Sequence, residues 1–284
     1  MALNNGFKSQ DVILQEGGMS NTSACKNGTS VTVTFDNAPF NRLNVRGNKT
    51  IRGIGNKGVI VGKGLGLNGH NIIVQNIHIT EINAHLFIAV NKAGASSMTI
   101  SNSDFDGQTE FSKTCDGHHY WGLHFSGKHT GVSIINNYIH YLSGHLPKVG
   151  GIADTSVVVH VANNYYKDNS FHGMEIGTNG YVLAEGNYFV NTTEPLYNGG
   201  DPDIIGMVDG SIYAPVKSSK DECAAALGRV CGENVLEASG AFGSRKGATA
   251  LAETKSRSSI ARFSPKQAQE LDLAASNFGV GELN

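Results

Sequence analysis

A short β-branched run ending in Asn and an aromatic recurs along this chain, and few folds accommodate such a recurrence. It reads Ser133-Ile134-Ile135-Asn136-Asn137-Tyr138, then Val157-Val158-Val159-His160-Val161-Ala162-Asn163-Asn164-Tyr165, then Tyr181-Val182-Leu183-Ala184-Glu185-Gly186-Asn187-Tyr188. Two earlier segments, residues 71–79 and 98–105, share the shape. Aligning Asn76, Ser103, Asn137, Asn164 and Asn187 gives steps of 27, 34, 27 and 23 residues. One short apolar run per repeat at such a period is the signature of a solenoid. Each repeat holds short strands and no convincing helix, so a parallel β-helix is the economical architecture. Its inward side chains form apolar columns, and Asn recurring at one turn forms a hydrogen-bonded ladder. The surplus in the 34-residue step falls on residues 110–121, expected as a loop outside the helix. A β-sandwich with coincidental spacing is the alternative.

Composition agrees. Charged residues are 16% of the 284, with 36 Gly and 27 Asn. Gly and Asn tolerate left-handed backbone, which suits many short strands joined by tight turns. A net charge of −2 argues against binding nucleic acid through bulk charge. No run approaches the ~18 apolar residues of a membrane-spanning helix, so neither nucleic acid nor membrane is expected as a partner. The N-terminal stretch lacks a basic flank, an adequate apolar core and a small-residue cleavage site, so no secretory signal is expected in it. Four Asn-x-Ser/Thr glycosylation sequons, at Asn21, Asn27, Asn48 and Asn191, nonetheless point outward. The four cysteines fit two disulfides. Cys223 and Cys231 are placed to close a local loop around Gly228, and Cys25 with Cys115 follows by elimination. Four reduced, buried thiols remain the other reading. No C-x-x-C spacing suggests zinc.

Beyond Phe189 the rhythm fails. A short helix capped by Ser219 is expected, with Glu222 three residues on. Residues 238–260 are small and polar, and Pro265 after Ser264 marks the start of a C-terminal helix. No linker separates a second domain. The chain reads as one domain over 1–284, with stacked coils over about 31–192. The C-terminal loops, the Cys223/Cys231 loop and a helix occupy about 193–284.

Several longer motifs carry a resemblance. They are Asn71-Ile-Ile-Val-Gln-Asn-Ile, Cys115-Asp-Gly-His-His-Tyr-Trp-Gly122, Leu142-Ser-Gly-His-Leu-Pro-Lys148, Glu175-Ile-Gly-Thr178, Gly180-Tyr-Val-Leu-Ala-Glu-Gly-Asn187 and Cys223-Ala-Ala-Ala-Leu-Gly-Arg-Val-Cys231. In this order, over about residues 31–260, the chain resembles the fungal and oomycete pectin lyases of the pectate lyase superfamily. The resemblance implies an all-β, right-handed parallel β-helix with loops on one side and a short C-terminal helix. It also implies an extracellular protein whose partner is pectin, the methylated polygalacturonate, cleaved by β-elimination without calcium. No cofactor or metal is expected, and the chain is expected to be a monomer.

That chemistry needs a base for the C5 proton of a galacturonate. It also needs positive charge or donors at the C6 carbonyl, where enolate character develops. The family's Ser-Gly-Arg-x-Pro-Lys loop supplies the base, and carrying it over places His145 at the Arg position and Lys148 at the Lys. A neutral imidazole of ordinary pKa near ~6.5 takes a proton better than a guanidinium does. The other reading of His145 is a surface histidine left after decay of the site. The family's Trp-Ile-Asp-His segment has no counterpart here, and about one coil is absent between Asn83 and Ala84. Lys148 alone would not supply both base and electrophile. Trp121, Tyr120 and His119 are the expected sugar-contacting residues.

Three functional readings follow: a lyase with a modified site, a non-catalytic pectin-binding or decoy homologue, and a truncated gene product. Lesser candidates have blander readings. His118 and His119 suggest a metal, but neighbours in a strand point opposite ways. Asp104 and Asp106 share a strand face like a hydrolase carboxylate pair, without a galacturonan hydrolase's other motifs. His172 and Glu175 read as residues that close turns in the stack.

Overall fold

The computed structural model describes residues 7–16, 18–20, 24–37, 40–82, 86–90, 97–200, 206–216, 221–243 and 247–270. Three parallel sheets wrap one core, as a β-helix requires. The first stacks Leu43–Arg46, Leu65–Asn68, Ile88–Val90, Leu123–Phe125, Lys148–Val149 and Glu175–Ile176. The second stacks Lys49–Arg52, Ile72–Gln75, Met98–Ser101, Thr130–Ile135, Val157–Ala162, Gly180–Glu185 and Ser211–Tyr213. The third stacks Val59–Val61, His78–Thr80, Asp104–Asp106, Tyr138–His140, Tyr165–Asn169, Tyr188–Thr192 and Val235–Glu237. Each coil passes through the three sheets in that order.

In-register pairing turns the β-branched runs into columns. Ile72, Met98, Val132, Val159, Val182 and Ile212 stand one above another inside the second sheet. Ile79, Phe105, Ile139, Tyr166 and Phe189 do so in the third. Tyr166 and Phe189 stack face to face, 4.4 Å between centroids. Alternation along each strand sends the remaining side chains outward. Those of Val157–Ala162 are buried as well, because helices described below pack on that face.

The Asn ladder forms at the turn between the second and third sheets. Asn137, Asn164, Asn187 and Asn234 each present Oδ1 to the backbone N–H of the coil before, at 2.9–3.0 Å. Each also donates from Nδ2 to a carbonyl, of Ile100, Ile134, Val161 and Ala184 in turn. The preceding residue takes the left-handed bend: Asn136, Asn163 and Gly186 have φ of 54°, 53° and 65°. Asn76 and Asn102 bend likewise, at 56° and 48°. Asn76 therefore belongs with Asn102, since Gln75 pairs with Ser101, and the sequence alignment of Asn76 with Ser103 is one residue out. Ser103 ends the ladder, its Oγ accepting from the Ile77 N–H at 3.3 Å.

The junction at Asn83 and Ala84 lies outside the described residues. Around it the stack is continuous: Leu65–Asn68 pairs in parallel with Ile88–Val90, and Ile72–Gln75 with Met98–Ser101. Neighbouring coils need only matching strands, so these two stack directly on one another.

Both ends of the chain differ from the sequence reading. Val31 to Phe35 is a strand, but it belongs to an antiparallel sheet of Phe7–Gln15, Gly18–Ser20 and Thr29–Asp36, and the coils begin at Leu43. That sheet clasps the excursion at 110–121: Met19 and Glu110 join by a 2.7 Å backbone hydrogen bond. The Cys25–Cys115 disulfide closes the same contact, and Cys223–Cys231 closes its own eight-residue loop. At the other end the stack runs past 192, with Ser211–Tyr213 and Val235–Glu237 adding strands.

Helices form at Asp221–Leu227 (α1), Gly247–Ser256 (α2) and Ser258–Ala261 (α3). Ser219, the expected cap, lies outside the described residues. Among the described residues the last helix is earlier than the expected one. From 264 to 270 the chain is not helical, because its backbone bonds to the stack instead: the Lys266 N–H donates to Asn163 Oδ1 and its carbonyl accepts from Asn163 Nδ2. Tertiary partners override the local preference that Pro265 signals.

Candidate functional site

Outward positions of the first sheet form one row: Asn44, Gly66, Ala89, His124, Lys148 and Glu175. Gly66 and Ala89 carry little or no side chain, so the row is low between Asn44 and His124, with Arg42 beside Gly66. At the other end the loop before each strand adds His145 and His172. Burial, with the nearby His145 and Lys148, pushes the His124 imidazole down to about 3, so it stays neutral.

Glu175 organises this end. It is fully buried, and its Oε1 accepts from the His145 backbone N–H at 3.1 Å, from His145 Nδ1 at 2.5 Å and from His172 Nε2 at 2.9 Å. Lys148 Nζ lies 3.7 Å from Oε2. One carboxylate thus fixes both the left-handed backbone of His145 (φ 58°) and the rotation of its ring. Burial alone would raise the Glu175 pKa, but hydrogen bonds from His145 and His172 outweigh it and hold the carboxyl far below its usual range. Burial lowers the His145 pKa against the pull of Glu175. The imidazole is then neutral with its proton on Nδ1, since a carboxylate only accepts. Its Nε2 keeps a lone pair.

The residues expected to touch sugar stay in contact but differ in burial, the Trp121 ring packing edge-on against His119 at 5.8 Å and against Tyr120. Trp121 is half-buried, edge-on to Tyr120 at 5.5 Å. Tyr120 is buried, its ring 5.0 Å from that of His145 and its hydroxyl 3.5 Å from His172 Nε2. Gly144 makes room for it, because a Cβ there would stand 2.7 Å from the Tyr120 ring. His119 is 1% exposed and packs edge-on against Phe87 at 5.3 Å, so it lines the wall rather than facing a sugar. His145 is itself buried at 6% exposure, not a loose surface histidine.

His172 and Glu175 do more than close turns, and His124 was not singled out by its sequence context. A lone carboxylate one coil beyond the loop gives no local signal. Only the stacking of Lys148 on Glu175 brings it under His145. Of the sequons, Asn27, Asn48 and Asn191 are exposed, and Asn21 lies outside the described residues.

The Asp104–Asp106 pair sits on another face, outside the third sheet, and its carboxylates are engaged. Asp104 accepts from His78 Nδ1 and His140 Nε2, both at 2.8 Å, and Asp106 accepts from the Thr80 hydroxyl. Burial would raise the Asp104 pKa, but the hydrogen bonds from His140 and His78 prevail and lower it. The His78 pKa is raised, chiefly by its hydrogen bond to Asp104. The lowered carboxyl adds stability above its unfolded value near ~3.9, lost as pH falls through the folded value. The raised imidazole adds stability below ~6.5, lost as pH rises through its folded value. Thermal midpoints measured against pH should therefore peak between about 4 and 6.5, and Asp104→Asn should flatten both flanks.

Comparison with known proteins agrees with the fold. A family model described as pectate lyase matches residues 80–230, more than half of the chain. The chain belongs to the pectate lyase family. It is 36% identical over 265 residues to a probable pectin lyase F of Aspergillus niger, covering 83% of this chain and 52% of that protein. To pectin lyase B of Emericella nidulans it is 36% identical over 248 residues, 76% of this chain and 62% of the relative. The chain thus spans little more than half the length of these relatives. A solved pectate lyase bound to hexasaccharide superposes with a TM-score of 0.40 at 17% identity, over 86% of this chain and 70% of that one.

Proposed function

We propose that this chain binds galacturonan along the outward row of its first sheet and cleaves it by β-elimination, with His145 as base. The observation that carries this is the hold of Glu175 on His145 Nδ1, which leaves Nε2 as the proton acceptor, with Lys148 on the other oxygen of the same carboxylate. Nε2 takes the C5 proton, that electron pair forms the C4=C5 bond, and the C4–O bond breaks. The departing oxygen takes a proton from water. Lys148 is the group we assign to the C6 carbonyl, where positive charge lowers the barrier, and Arg42, beside Gly66, adds a second cation along the row. Because the Lys148 charge is shared with Glu175, the site suits a methyl ester better than a free carboxylate. Two disulfides fit an oxidising, extracellular setting.

The test is release of unsaturated uronides, read near ~235 nm from highly methylated pectin against unmethylated polygalacturonate. Activity on the methylated polymer is expected. A folded protein that releases nothing from either overturns the reading. A second reading, binding without cleavage, is favoured by the same ion pair, which leaves Lys148 partly neutralised. It predicts retention on pectin with no absorbance change. Under both readings Trp121→Ala should weaken pectin binding several-fold, about 1 kcal/mol for one lost aromatic platform. Affinity electrophoresis in pectin gels measures this.

A further inference from the structure

Three nitrogens converge on one carboxylate oxygen at the site. His145 Nδ1, His172 Nε2 and a Glu175 oxygen all lie within 4.8 Å of one another. All three hydrogen bonds to Glu175 fall on Oε1, whereas Oε2 has only the Lys148 ammonium at 3.7 Å. A structural carboxylate normally spreads its acceptor capacity over both oxygens. Hydrogen bonding alone accounts for these contacts, but it also leaves two ring nitrogens and a carboxylate oxygen close enough to re-form around one ion once the ring protons are displaced. Two imidazoles and one carboxylate form a three-ligand set with an open fourth position, the pattern of zinc sites that keep an exchangeable ligand. Ligand atoms at ~2.1 Å from Zn²⁺ stand about 3.4 Å apart in a tetrahedron, so the donors need separate by less than ~1 Å from their 2.5 and 2.9 Å contacts. The nitrogen donors exclude calcium, which takes oxygen.

We propose that His145, His172 and Glu175 bind one Zn²⁺ ion, and that the ion switches the base off. The switch follows from the ring. With metal on Nδ1, a neutral imidazole carries its proton on Nε2, and the acceptor atom becomes a donor. Binding stands on the ligand geometry alone, whereas the switch rests on His145 acting as the base.

The experiment uses the full chain after chelator treatment. Co²⁺ is titrated while its visible d–d bands are followed, then displaced by Zn²⁺ or challenged with Ca²⁺. One Co²⁺ per chain is expected, displaced by Zn²⁺ and indifferent to Ca²⁺. His145→Ala and His172→Ala should each weaken binding by about 10–100-fold or more. Glu175 is buried, so its variants risk misfolding. His145→Ala removes a buried ring, and its melting curve reports whether the variant is folded. Folded wild-type protein without the bands, or bands unchanged in both histidine variants, overturns the site. Co²⁺ binding with uronide release untouched by saturating Zn²⁺ overturns the switch. If the protein releases no uronide at all, the lyase reading and the switch fall together, while the Co²⁺ bands still decide the site.

Discussion

His145→Ala is expected to abolish the release of unsaturated uronides while leaving the fold and pectin retention nearly intact. A positioned general base contributes about 10²–10⁴-fold to rate, and among the described imidazoles on this face His172 shares the fixed ring but has its unpartnered Nδ1 fully buried, out of reach of a substrate proton. His124 is neutral but lacks a carboxylate to orient it, and His172 points its Nε2 at Glu175. Initial rates on methylated pectin, beside retention on the same polymer, make the comparison. Equal rates in variant and wild type would assign the base to another group. Lys148→Ala should lose less rate than His145→Ala, because the Lys148 charge already leans on Glu175.

The second large effect lies in the core. Asn164→Ala should cost upwards of about 3 kcal/mol, from at least roughly 1 kcal/mol for each buried group left without a partner. The change strands the Asn137 N–H, one proton of the Asn137 amide and the Ile134 carbonyl, all buried. Urea unfolding followed by circular dichroism reads the shift. The matched control is Asn68→Ala, whose amide bonds Asn44 Oδ1 at the surface and should shift the midpoint by under ~0.5 kcal/mol. Similar losses at the two positions would mean that the ladder adds no more than a surface contact.

The sequence shows the coils because period and chemistry coincide there. A β-branched run and an Asn at a fixed phase have one common explanation in a stacked solenoid, and Asn137, Asn164 and Asn187 do what their spacing implies. Asn76 misleads because the left-handed turn position and the ladder position both favour Asn and are adjacent. Asn234 escapes because 47 residues, including α1, separate it from Asn187. Pro265 carries a helix-start signal that is local, whereas its segment is settled by Asn163, 103 residues away. At the site, the loop from Ser143 to Lys148 is legible as a motif. Its meaning depends on Glu175 and His172, which sequence places a full coil off and the fold places in contact.

The two ends of the stack differ in how they are covered. In the first coil Leu43, Ile54, Val59 and Val61 are exposed. At the far end α2 packs on Gly180–Glu185 and Ser211–Tyr213, and Arg229 and His160 clamp the buried Glu185. Cohesion in such an array passes only between neighbours, so thermal opening has a direction. Coils are shed from the Leu43 end, and amide protection should climb along the axis. Lys148 and Glu175 belong to the last two strands of the first sheet, with His145 in the loop just before Lys148, where opening arrives last. The molecule can therefore lose its first coil transiently, as breathing at one end of the axis, with the histidine–carboxylate cluster still assembled at the other.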